Sequence, residues 1–277
     1  MQGSSFNMST AIPMFILWLS IICISLVLVF KSKMNKSYAI IILIVSIGLG
    51  GILLGAVPNA IMPIMNILMV FRGQIPIPSL MPMIIILGVL LLSTFLIARM
   101  FCGYACPLGA LQELASKLNF KSSVKEQNRK KYAITTSQQT ANIIRWSFFL
   151  IFAIISVVWS LSIVQIINPF TGFKVFTNPF TAALVIPLVS IIVVTILSFF
   201  IYRPWCRYLC PFGAISTLTS RYSMYKLSRT DACNECGLCE KVCPTQEAYA
   251  NSKKGECYNC NRCVEACPND AIKMNKK

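Results

Sequence analysis

Five apolar stretches, each close to the length that crosses a bilayer, constrain this chain more than any other feature. They lie near residues 11–30, 38–57, 83–99, 143–167 and 182–202. A helix needs roughly 20 apolar residues to span the hydrocarbon, and in lipid each backbone amide must be satisfied within its own helix. The sequence therefore predicts an α-helical membrane protein with five transmembrane helices. A further apolar piece, Ala60–Phe71, is interrupted by Pro63 and is expected to be re-entrant or interfacial. The first stretch has no basic start and no small-residue cleavage site, so it is expected to stay as a helix. Trp18, Trp146, Trp159 and Trp205 fall near helix ends and are expected to anchor at the interfaces. Cys23, alone in the first stretch, is expected to be a buried small hydrophobe.

Charge sets the orientation. The chain carries 25 Lys and Arg against 9 Asp and Glu, a net +16. Lys31, Lys33 and Lys36 follow the first stretch. The connection after the third carries Lys117, Lys121, Lys125, Arg129, Lys130 and Lys131, and Arg203, Arg207 and a basic tail follow the fifth. The other connections carry only Arg72 and Lys174. The positive-inside rule puts the N-terminus outside and the C-terminus in the cytoplasm. Topology thus accounts for the charge, and no nucleic acid is called for. The absence of histidine excludes a bis-histidine haem, a Rieske centre and a Ser-His-Asp triad.

The chain repeats itself. Ile97 to Ala110 reads IARMFCGYACPLGA, and Ile201 to Ala214 reads IYRPWCRYLCPFGA, with no gap between them. Each copy follows a helix ending at an arginine, Arg99 or Arg203, and each is preceded by a helix of opposite direction. The unit is a helix pair with a Cys-x3-Cys-Pro turn, the copies ending over 102–114 and 206–218. Both turns emerge on the cytoplasmic side, so the repeats are parallel, and a pseudo-two-fold axis along the membrane normal relates them.

Composition changes near Arg221. Residues 1–220 read as the membrane domain. Residues 221–277 read as a small α+β domain, too small to hold itself by an apolar core alone. Its motif Cys233-x2-Cys236-x2-Cys239-x3-Cys243-Pro recurs as Cys257-x2-Cys260-x2-Cys263-x3-Cys267-Pro. This is the bacterial two-cluster ferredoxin pattern. Three thiolates of one run hold three corners of a cubane, and the Cys-Pro of the other run supplies the fourth. One 4Fe-4S cluster is expected on Cys233, Cys236, Cys239 and Cys267. The other is expected on Cys257, Cys260, Cys263 and Cys243. Zinc would favour two separated Cys-x2-Cys pairs.

Cys102, Cys106, Cys206 and Cys210 admit three readings. They hold a further iron–sulfur cluster at the pseudo-two-fold, they form redox dithiols, or they merely accompany turns shaped by Pro and Gly. Arg99, Arg203 and Arg207 stand near them in sequence and would favour thiolate. The outer segment Asn168-Pro-Phe-Thr171 recurs as Asn178-Pro-Phe-Thr181. It is expected to be a plain loop, with a quinone headgroup or an external redox partner as the functional alternative.

Two Cys-x3-Cys-Pro turns after helices, followed by a two-cluster ferredoxin tail, resemble the NapH/NosR-type membrane polyferredoxins and the related CcoG type. The resemblance runs from about Met83 to Lys277 and fits the short NapH-like form. It implies an electron-transfer protein of the cytoplasmic membrane. Such a protein links a cytoplasmic donor or menaquinol to a membrane or extracytoplasmic redox partner. The large flavin-binding region of the NosR type is not found before these helices, so a separate flavoprotein or reductase partner is expected. A quinol or ferredoxin oxidoreductase in its own right, and a redox-sensing regulator or assembly factor, are the alternatives.

Overall fold

A computed structural model describes residues 36–55, 59–70, 80–119, 136–159, 167–177, 184–249 and 251–276, with single positions between 16 and 28. Most of the first predicted helix therefore lies outside the described residues. Its described positions bury Ile21 and Ser25 and expose Ile16, Leu19, Ile24 and Val27. Cys23 is exposed, against expectation. Cys23 lies off the line through Ile21 and Ser25.

The remaining helices form two like units. In the first, α1 is an α-helix over Lys36–Val45 that continues as a π-helix over Ser46–Leu53. The short helix α2 (Ile61–Val70) is capped by Asn59, whose Oδ1 accepts from Ile61 N at 3.0 Å. Pro63 sits in the first turn of α2, where its missing N–H costs no hydrogen bond. It starts the helix rather than breaking it. Helix α3 (Leu80–Ile97), a π-turn over Phe101–Ala105 and α4 (Pro107–Asn119) complete the unit.

The second unit follows the same order. Helix α5 (Gln138–Trp159) begins behind Ser137, whose Oγ accepts from Thr140 N at 3.2 Å. The predicted fourth helix thus starts earlier than expected. Helix α6 (Pro169–Gly172) is capped by Asn168, whose Oδ1 accepts from Phe170 N at 3.1 Å. A 3-10 turn over Phe173–Phe176, α7 (Val185–Leu197), a π-turn over Trp205–Leu209 and α8 (Pro211–Arg221) finish it. Asn168-Pro-Phe-Thr171 is therefore a capped helix with Asn168 and Phe170 buried, not a plain loop. Its recurrence from Asn178 lies outside the described residues.

The units interlock. Helix α4 packs on α1, and α8 packs on α5. Across the pair, α8 packs on α3 and α4 on α7, while α2 packs on α5 and Phe173–Phe176 packs on Ser46–Leu53. These cross contacts fall in matching pairs, which is the pattern a two-fold axis produces.

The polarity is inverted relative to a soluble globule. Large apolar side chains such as Ile41, Ile85, Ile154 and Ile192 stand exposed, while Arg99, Arg145, Arg203 and Arg207 are among the largest fully buried side chains. Trp205 is buried with them, so it is a core residue and not an interface anchor. Among the described residues one helix, Gln138–Val158, is long and apolar enough by itself to cross a membrane. Ser37–Leu53, Met81–Ile97 and Val185–Leu197 are apolar but shorter.

The tail is a small α+β unit. Strand β1 (Tyr225–Arg229) pairs antiparallel with β2 (Ile272–Lys276), setting Tyr225 opposite Lys276 and Arg229 opposite Ile272. Between them lie two single-turn helices, α9 (Leu238–Val242) and α10 (Arg262–Glu265). Gly237 and Asn261 precede these helices at matching positions, both left-handed, with φ of 71° and 67°. Glycine and asparagine are the residues that tolerate this conformation.

Candidate iron–sulfur centres

The eight tail cysteines gather as two crossed sets. Cys243, Cys257, Cys260 and Cys263 line one cavity of about 270 Å³. Cys233, Cys236, Cys239 and Cys267 line a second, tighter one of about 10 Å³. In each set three thiols come from one run and the fourth from the Cys-Pro of the other. The two cavities share Arg229 and Ile272 as walls. Two matching amides serve the crossing sulfurs. Glu247 N donates to Cys243 Sγ at 3.2 Å, and Ala271 N donates to Cys267 Sγ at 3.3 Å. Among the described residues no three metal-ligating side chains are gathered for a single ion. A cubane spreads its four thiolates over four irons, so the crossed sets fit it better than a mononuclear zinc site.

The two Cys-x3-Cys-Pro turns are near copies in space. In each, the second cysteine closes a π-turn, Cys106 N donating to Phe101 O and Cys210 N to Trp205 O, both at 2.9 Å. Cys106 has φ −80° and ψ 118°, and Cys210 has −79° and 118°. Proline then starts the next helix, where its fixed φ suits the first position. The glycine two residues later lets that helix close on its own turn. A Cβ at Gly109 would lie 2.3 Å from Cys102 O, and one at Gly213 would lie 2.6 Å from Cys206 O. The four thiols are buried and close enough to bear on one another electrostatically.

The arginines exchange between the units. Arg203 donates to Cys102 O at 2.5 Å, to Gly103 O at 3.1 Å and to Glu113 Oε2 at 3.0 Å. Arg99 donates to Gly213 O and to Thr217 Oγ1. Glu113 and Thr217 are equivalent positions of the two units. Burial alone would raise the Glu113 carboxyl, but the Arg262 and Arg203 guanidiniums overcome it and hold the group at about 2. Arg99 Nε is buried without a hydrogen-bond partner, in a side chain that feels Cys102 and Cys210. An anionic cluster on the four thiols would supply the missing acceptor. Burial pushes the Cys102 thiol up to about 12, against the pull of Arg99 and Arg203. Such a thiol is a poor exchange nucleophile, whereas iron binding displaces the proton.

Two buried Arg–Glu–Arg triads fix the tail on this centre. Glu113 of α4 takes Arg203 and, from the tail, Arg262 Nη2 at 2.9 Å. Glu256 of the tail takes Arg145 of α5 and Arg207 Nε at 3.0 Å. Between the triads stands Tyr258. The Arg99 and Arg203 guanidinium carbons lie 5.2 and 4.6 Å from its ring centroid. Its hydroxyl accepts from Arg99 Nη1 at 2.8 Å and donates to Cys206 O at 3.5 Å. Equivalent arginines of both units converge on this one ring, so it lies near the pseudo-two-fold axis. Gly103 is needed beneath it, since a Cβ there would lie 2.4 Å from Tyr258 O.

Gln112, Glu113, Glu256 and Tyr258 escaped the sequence reading. Glu113 had a signal: it is one of two acids before Asp231 in a strongly basic chain. Glu256 and Tyr258 flank a ligand cysteine, and nothing in their spacing tells which partner they meet.

The sequence pattern of a 4Fe-4S binding domain matches residues 79–125 and again 183–229. That pairing reproduces the spacing of the two turns. A second pattern, also a 4Fe-4S binding domain, matches 253–273. The chain thus carries 4Fe-4S binding domains of two kinds and is similar to membrane ferredoxin-like proteins of the NapH/NosR type. The chain is 29% identical to YccM of Escherichia coli K12, an electron transport protein by its name, over 63% of this chain and 49% of YccM. It is 32% identical to MJ0750 of Methanocaldococcus jannaschii over 58% of this chain and 64% of that protein. It is 26% identical to the regulatory protein NosR of Stutzerimonas stutzeri over 60% of this chain and 23% of NosR. The chain thus spans between about half and two-thirds of the length of the first two. No solved structure matches it.

Proposed function

We propose that this polyferredoxin passes single electrons along a row of three iron–sulfur centres at the cytoplasmic face of the membrane. The outer centre uses Cys233, Cys236, Cys239 and Cys267. The inner one uses Cys257, Cys260, Cys263 and Cys243. The third is a single centre shared by both units on Cys102, Cys106, Cys206 and Cys210. Neither unit has more than two of these thiols, so neither completes a cubane alone. The clusters, when bound, supply the one-electron chemistry. The chain supplies their order. The carrying observation is that the inner cavity is walled by Tyr202 and Tyr258, and Tyr258 reaches Cys206 and both unit arginines. The outer cavity holds the one exposed tail cysteine, Cys236, and is the natural port for a cytoplasmic carrier.

The multi-pass membrane placement, with five crossings and the tail in the cytoplasm, is part of the same proposal. It is supported by the exposed apolar faces of α1, α3, α5 and α7 and by the distribution of Lys and Arg. A quinone or a further redox subunit would extend the route beyond the third centre. Anaerobic iron and sulfide analysis with EPR tests the row. The intact protein is expected to hold about twelve irons, and Cys102→Ser/Cys206→Ser about eight with both tail signals retained. Eight irons in the intact protein would remove the third centre.

A further inference from the structure

A cationic groove runs where the tail meets the helical part. Its volume is about 570 Å³, and Arg221, Tyr222, Lys226, Lys253, Lys254 and Lys276 line it with no aspartate or glutamate. That is the size of a small-molecule site rather than a flat docking face. Lys226 ties its walls together, donating to Arg221 O at 2.6 Å and to Lys253 O at 3.2 Å.

The groove adjoins the ends of the apolar helices. Arg221 is the last residue of α8. Met224 N donates to Phe95 O, in the last turn of α3, at 2.9 Å. The strand register then sets Lys276 opposite Tyr225, the residue after that bond. Apolar side chains stand exposed on the same helix ends: Leu92, Phe95 and Leu96 on α3 and Leu218 on α8. One turn beyond Leu218, Tyr222 is 74% exposed. Tyrosine and arginine at this level mark a membrane interface, and basic pockets on the cytoplasmic side suit anionic head groups.

We propose that the groove binds the phosphate head group of an anionic phospholipid, its acyl chains lying along Leu92, Phe95 and Leu96. The inference rests on the membrane placement above. A free phosphate would satisfy the cations alone, whereas a phospholipid also makes use of the bilayer-facing apolar strip beside them. Bound there, the lipid bridges Arg221 of the helical part to Lys253 and Lys276 of the tail. The composition of the inner leaflet then helps to hold the inner cluster against the shared centre.

The test is a lipid titration of the detergent-purified full chain, counted by native mass spectrometry. Phosphatidylglycerol and phosphatidylcholine are compared, on the parent and on Lys253→Gln/Lys276→Gln. The parent is expected to retain phosphatidylglycerol preferentially. The double variant should bind it roughly tenfold more weakly, with unchanged iron content as the check on folding. Equal binding by parent and variant, or no preference over phosphatidylcholine, overturns the proposal. Inorganic phosphate is the second arm. If it competes as well as the lipid does, the ligand is a soluble phosphate and the lipid assignment falls. Release of the protein from membranes by alkaline washing would instead refute the membrane placement itself, so the two failures are distinguishable.

Discussion

Gln112 breaks the symmetry of the four-thiol centre. Its Nε2 donates to Cys206 Sγ at 3.2 Å while its Oε1 accepts from Trp205 N at 3.1 Å. The equivalent residue of the second unit, Ser216, instead donates to Gly213 O. Hydrogen bonds to cluster sulfurs tune the potential, and a donor favours the more negative, reduced state. Gln112→Leu is therefore expected to shift the membrane-side centre to a lower potential and leave both tail centres where they are. An EPR-monitored redox titration reads this directly, and three unmoved midpoints would refute it. At this scale the grouping of the eight tail cysteines into two sets was legible from their spacing. Gln112 and Tyr258 were not, because each acts on a partner more than fifty residues away in the chain.

At the scale of elements, the Cys-x3-Cys-Pro-x-Gly sequence encodes a π-turn closed against the following helix. Both glycines are required by the approach of a backbone carbonyl, which cannot rotate away as a side chain can. Gly109→Ala should cost about 1–3 kcal/mol through overpacking and lower iron at the membrane-side centre alone. Gly88→Ala is the control, since nothing lies within 4 Å of the added carbon. Iron per protein and thermal unfolding of the two variants check the pair, and equal behaviour would show that the close approach is unimportant. The length of the apolar stretches made the described long helices legible, with ends such as Gln138 and Leu197 displaced by about five residues. Hydropathy misjudged Asn168–Thr171, where an asparagine cap and a proline at the first position start a helix too short to show a period. It misjudged Pro63 for the same reason, since helix starts are written in capping chemistry rather than in hydropathy.

At the scale of the whole molecule, the two triads join the tail to the helical part through charges taken out of water. Removing one member of a buried ion pair strands its partners at a cost of about 3–5 kcal/mol. Glu256→Ala leaves Arg145 and Arg207 without their carboxylate. It is expected to undock the tail before the tail itself unfolds. Limited proteolysis near Arg221 should then release a folded tail that keeps its own clusters. Release at the parental rate would mean that the triads do not carry the docking. The pseudo-two-fold was legible because the repeat has no gap. The triads were not, because each draws its three members from three separate parts of the chain.

The exchange of arginines between the units also sets an order of biosynthesis. When the first turn leaves the ribosome it carries two thiols and Arg99, whose acceptors at Gly213 and Thr217 are not yet made. Arg203 supplies the guanidinium that Glu113 lacks, and Arg262 arrives later still. The shared centre therefore cannot close during insertion of the first half. If the proposed shared centre holds iron, that iron can be delivered only once Cys206 and Cys210 have been made, into a chain whose halves have already found each other.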